Sequence, residues 1–144
     1  MSGPYQDVKR ELEQVFCNLL KEKIGVEFKP YKADEELDTP YGVVACSSCR
    51  PIAGGASPRG WRAEVKVAYV SHIDEVNSGV HSQKVAEIED AISLVPQAAV
   101  EDYQLQENHI KVAGLFIKEH RDQSESQSFG DVFDVDVGVN ECRG

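Results

Sequence analysis

The sequence predicts a single soluble, acidic α+β domain over residues 1–144, in which two helices pack on one face of a mainly antiparallel sheet of four to five strands. Three observations predict it. Apolar residues recur at three- and four-residue steps over residues 5–24 and again over 79–94, the spacing of a helix face. They alternate with polar residues over 61–71 and 129–141, the spacing of half-buried strands. Between the extended runs lie a long Gly/Pro-rich stretch and a polar tip, which read as connections.

In the first helix Val8, Leu12, Val15, Phe16, Leu19 and Leu20 share one face. Glu11 and Glu13 come early and Lys21 and Lys23 late, as the helix dipole prefers, and Gly25 supplies a stop. Cys17 falls within this apolar pattern and reads as a small buried hydrophobe. A short extended stretch at 26–28 and a charged, proline-bounded connection over 30–40 follow. Tyr41, Val43 and Val44 open a strand. The run CSSCRPIAGGASPRG from Cys46 to Gly60 then combines Gly, Pro and Ser so heavily that a long loop is expected through most of it, of the kind that invites a partner.

In the next strand Trp61, Ala63, Val65, Val67 and Tyr69 face the core, opposite Arg62, Glu64 and Lys66. Ser78 can cap the second helix, where Val85, Ile88, Ile92 and Val95 line the inner side before Pro96, and Glu87, Glu89 and Asp90 form a solvated face. After a connection over 97–106, a long β-hairpin spans 108–141. Its first strand carries Ile110, Val112, Leu115 and Ile117, with Phe116 on the alternate side and a bulge or close approach at Gly114. Residues 121–128 form its tip. Its second strand sets Phe133, Val135, Val137 and Val139 against Asp134, Asp136 and Gly138, so that one face is core and the other outward and acidic.

Net charge is −10 and unevenly distributed: residues 1–60 carry 8 basic and 9 acidic groups, residues 61–144 carry 7 and 16. Such a surface repels a phosphate backbone, and no Lys/Arg cluster offsets it, so sequence-reading on nucleic acid is not expected. No apolar run reaches the roughly 18–20 residues that span a bilayer, and the N-terminus lacks the pattern of a secretory signal. A cytoplasmic protein with reduced thiols at Cys17, Cys46, Cys49 and Cys142 is the expectation.

Candidate chemistry is sparse. Cys46 and Cys49 have the CxxC spacing of zinc and redox sites, but His72, His81, His109 and His120 are scattered, and the pair leads into a loop rather than opening a helix. Asp131, Asp134 and Asp136 supply the oxygen ligands that hard cations prefer, yet the nearest bases are Lys118 and Arg121 on the neighbouring strand and its tip, so an outward or interface-lining acidic face is the simpler reading. AGGASPRG lacks the spacing of a phosphate-binding loop, no GxSxG elbow occurs, and spacing alone singles out no Ser, His and acid set. No catalytic, cofactor-binding or metal-binding residue is assigned.

Taken together, the amphipathic first helix, TPYGVV opening a strand, the Gly/Pro loop, WRAEVKVAYVSHID leading into SGVHSQKVAEIEDAISL, and the closing KVAGLFIKEH and GDVFDVDVGVNE strands resemble the tail terminator, or tail completion, proteins of long-tailed bacteriophages. The CxxC pair has no place in that pattern. The resemblance implies a structural, non-enzymatic subunit without cofactor that forms a ring, commonly hexameric, on the tail tube and joins it to the head. The implied partners are further copies of the chain, the tail tube protein and a head-completion or connector protein. Genomic DNA would pass through the ring without sequence-specific binding, and no membrane is involved. The implied location is the tail or neck of the virion, after synthesis in the host bacterial cytoplasm. In that setting Asp134 and Asp136 are candidates for a negatively charged lumen, and residues 47–60 and 121–128 for contacts with neighbours. A tail tube or head–tail connector subunit is the near alternative. A small thiol or metal-dependent enzyme using Cys46 and Cys49 is the alternative from another class.

Overall fold

The computed structural model describes residues 4–31, 40–51, 60–72, 77–95, 110–125 and 128–141. Parts of the expected connections at 32–39, 52–59 and 96–109, the tip at 126–127, and Cys142 lie outside them. The elements run α1 (Pro4–Ile24), β1 (Phe28–Pro30), β2 (Tyr41–Pro51), β3 (Gly60–His72), α2 (Asn77–Ser93), β4 (Ile110–Asp122) and β5 (Ser128–Glu141). The expected α+β architecture is observed.

Helix α1 forms where the apolar spacing placed it: Leu12, Val15, Phe16, Leu19 and Leu20 are buried. It ends because Gly25 adopts φ 80° and its N–H donates to the Lys21 carbonyl at 3.0 Å, closing the last turn with a left-handed residue. The final carbonyl of the helix does not go unpaired. Lys84 of α2 donates to Ile24 O at 2.8 Å and so ties the two helices together.

The sheet order is β1-β2-β3-β5-β4. Only β1 and β2 run parallel; every other neighbour is antiparallel. Strand β3 is therefore central, β5 is interior between β3 and β4, and β4, the first strand of the terminal hairpin, is one of the two edges. In the β3–β5 register Trp61, Ala63, Val65 and Val67 stand opposite Val139, Val137, Val135 and Phe133. All eight are buried under the helices with Val44, Cys46, Ile88 and Ile92.

One sequence expectation is corrected here. Residues 46–51, expected to begin the loop, instead continue β2, pairing with β3 as far as Pro51↔Trp61. The cause is tertiary: the long β3 offers a full partner edge, and a bulge between Cys46 and Ser48 restores the register that the Ser-rich run would otherwise lose. The N–H of Cys46, past the end of β1, donates to Glu13 Oε2 of α1 at 2.9 Å. Pro51 closes the strand, a position where its missing donor matters least. The irregularity expected at Gly114 is present as a register shift between Val112 and Gly114, and a second lies between Ile117 and Glu119.

At the β1–β2 junction Phe28 pairs with Gly42, and the Phe28 ring lies where a side chain at 42 would stand. Phe28 is itself buried and stacked on Tyr69, with ring centroids 6.4 Å apart, so it has little room to move. Gly42→Ala is accordingly expected to lower unfolding stability by about 1–3 kcal/mol, the usual cost of overpacking, measurable as a lower denaturant midpoint at unchanged slope.

Candidate functional site

Because side chains alternate along β5, its acids divide between two faces. Asp131 lies on the helix side with Phe133 and Val135, whereas Asp134 and Asp136 lie on the open side. The three do not form one cluster.

On the open face the expected acidic surface is corrected. Arg62 grips Asp136 with Nε at 3.2 Å from both oxygens and a terminal nitrogen at 2.7 Å from Oδ2, a bidentate pair. Arg121 reaches Asp134 at 3.2 Å, and Asp134 is 7% exposed. Lys118 lies 3.5 Å from Glu64. These pairs follow from the register, which sets Lys66 opposite Asp134 and Gly138 opposite Arg62, so cations of β3 and β4 flank the acids of β5. The result is a charge-alternating face with a shallow concavity of about 340 Å³ lined by Ser48, Arg50, Arg62, Glu64, Phe116, Lys118 and Asp136. Phe116, 56% exposed, is its apolar element.

The helix side carries a polar network that sequence spacing could not assemble. Ser71 of β3 lies 2.7 Å from His81 Nδ1, His81 Nε2 lies 2.6 Å from Asp131 Oδ2, and His120 Nε2 lies 2.8 Å from Asp131 Oδ1. A carboxylate at Asp131 accepts from both imidazoles at Nε2; a neutral His81 then accepts the Ser71 hydroxyl at Nδ1, whereas a protonated one donates to it. His81 is held between the rings of Tyr69 and Phe129, with centroids 5.1 and 5.2 Å away, and His120 stacks on Phe133 at 4.2 Å. The residues are those of a hydrolytic triad. Ser71 and His81, however, are each 5% exposed, and the hydroxyl is committed to the imidazole inside the helix–sheet seam. A nucleophile needs access to substrate, and a hydroxyl buried to this degree offers little; the network pins α2 to β3, β4 and β5. The signal in the sequence was His81, a polar residue on the inner side of α2.

The cysteine pair sits within β2, not at a helix start. Cys46 is buried, and its thiol donates to the Ser48 carbonyl at 3.4 Å; of Cys49 the backbone position opposite Ala63 is described. Burial first, and the Glu13 carboxylate second, push the Cys17 thiol up to about 12, the behaviour of an inert core group. Among the described residues no group of three His, Cys, Asp or Glu side chains is arranged to hold a metal ion. Nor is any described helix long and apolar enough to cross a membrane.

No protein family model matches the chain, and no curated protein matches its sequence. Its fold is shared with a chain of a solved structure titled "Virion of native gene transfer agent (GTA) particle", with a TM-score of 0.53, 11% sequence identity, and coverage of 84% of this chain and 84% of that one.

Two outcomes test this geometry. Removing Asp131 as an acceptor, in Asp131→Ala, strands a buried imidazole donor and is expected to lower stability by about 1–3 kcal/mol in denaturant unfolding. On the open face, the Arg62 hydrogen bonds hold the Asp136 carboxyl below its ordinary value. A depressed folded pKa means that the pair's contribution is present above about pH 4 and is lost as pH falls through the folded value. Carboxyl-carbon NMR titration should show Asp136 returning toward the ordinary range in Arg62→Gln.

Proposed function

We propose that this chain is a structural protein of a phage-like virion, and within that class a ring-forming tail terminator that caps the tail tube and joins it to the head complex. The observation that supports the class is the fold shared, over most of both chains, with a chain of a gene transfer agent virion. The layout of helices and strands that resembles tail terminators supports the finer reading. A non-enzymatic role agrees with the buried state of Ser71 and His81, the one Ser, His and acid set that the described geometry brings together.

In this reading the partners are further copies of the chain, commonly six to a ring, the tail tube protein and a head-completion or connector protein, and the protein resides in the virion neck. Genomic DNA passes through the ring, kept from adhering by the excess of acid in residues 61–144. Asp134 and Asp136, being paired with arginines, are not the residues that supply that repulsion.

Negative-stain microscopy combined with a mass measurement, on the protein alone and with purified tail tubes, tests the proposal. Rings seated on tube ends are the expected result. A monomer that never associates with tube ends contradicts the proposal, and long tubes built from this protein alone would make it a tube subunit instead.

A further inference from the structure

The two layers of the fold present unlike outer surfaces. On the sheet side, Phe116 borders a concavity flanked by Arg50, Arg62 and Lys118. Arg62 is engaged by Asp136, and Lys118 lies 3.5 Å from Glu64 and also acts on Asp136; with both carboxylates in the same lining, Arg50 is the cation in excess. On the helix side, α2 and the residue that follows it carry Val80, Gln83, Glu87, Asp90 and Leu94 at steps of three and four, hence on one stripe, with Lys84 beside it 3.7 Å from Glu87. Val80 and Leu94, at 46% and 43% exposure, bracket Glu87 and Asp90. Large apolar side chains left in water beside opposite charges are the composition of an interface, with an apolar anchor and a polar rim that fixes orientation.

We propose that the concavity around Phe116, in which cations outnumber acids by one, docks the stripe of α2 from a second copy of this chain. The occupant is indicated by complementarity: a chain of net charge −10 repels its own copies wherever acid meets acid, and here Glu87 and Asp90 meet Arg50 and Lys118 while Val80 or Leu94 covers Phe116. The two surfaces lie on opposite sides of the helix–sheet sandwich, so the contact is head-to-tail. Each subunit offers one surface forward and the other back, and repetition of such a contact with a fixed rotation closes into a ring. This deepens the ring reading of the preceding subsection and rests on it.

Charge-swap variants test it. Arg50→Glu with Lys118→Glu reverses the concavity, and Glu87→Lys with Asp90→Lys reverses the stripe; all four positions are on the surface. Each double variant alone is expected to sediment at the monomer mass of 15.9 kDa with unchanged circular dichroism. Mixed in equal amounts they are expected to reassemble, because the reversed concavity of one fits the reversed stripe of the other while the remaining native pair also fits. In the unmodified protein, zero-length carbodiimide coupling should join Lys118 of one copy to Glu87 or Asp90 of the next, independently of any variant. Retention of the native oligomer by either double variant, failure of the mixture to reassemble, or absence of that cross-link would overturn the interface. An oligomer that passes these tests yet ignores tail tubes would leave the interface standing and remove the terminator role.

Discussion

The antiparallel register between β3 and β5 is the constraint from which the rest of the structure follows. It runs from Gly60↔Asn140 to His72↔Ser128 without a break. Because side chains alternate with period two, this one alignment decides that Val65 and Val135 go under the helices while Lys66 and Asp134 go to the open face. A slip by one residue would exchange them, burying charge and exposing the valines. The bulges that the fold requires are all displaced outward, into β2–β3 and β4–β5. The central pair remains regular.

The same register explains why the polar atoms fall where they do. At the end of the β3–β5 ladder the helix-side positions are Ser71, Asp131 and Phe129 rather than valines, and α2 meets them with His81. A buried polar cluster is tolerated because each member is satisfied by another, and its directional bonds fix how α2 lies on the sheet in a way that apolar contacts alone would not. On the opposite side, long cationic side chains from β3 and β4 fold over the carboxylates of β5, neutralising a row that reads as uniformly acidic along one strand.

Much of this was legible in the sequence, for local reasons. The helical spacing of Leu12, Val15, Phe16 and Leu19, the stop at Gly25, and the alternation of Phe133 to Val139 each reflect a periodicity that burial enforces within one element. What was not legible depends on pairing between distant elements. The strand through Cys46 to Pro51 is stabilised by β3, which overrides a composition that favours a loop. The insertion of β5 between β3 and β4 is a long-range choice that no local pattern records. For the same reason Arg62 as the partner of Asp136, and the meeting of Ser71, His81, Asp131 and His120, could not be read from spacing, since each joins residues at least ten positions apart, whereas the hairpin already set Arg121 near the acids.

Both faces of the sheet therefore depend on which residues of β3 and β5 face each other, and cross-strand backbone nuclear Overhauser contacts report that directly. Contacts linking Ala63 with Val137, Val65 with Val135 and Val67 with Phe133 as facing pairs are the result predicted. A contact network in which Ala63 faces Asp136 or Gly138 would contradict the register, and with it the division of the sheet into a buried face and an open, charge-paired one.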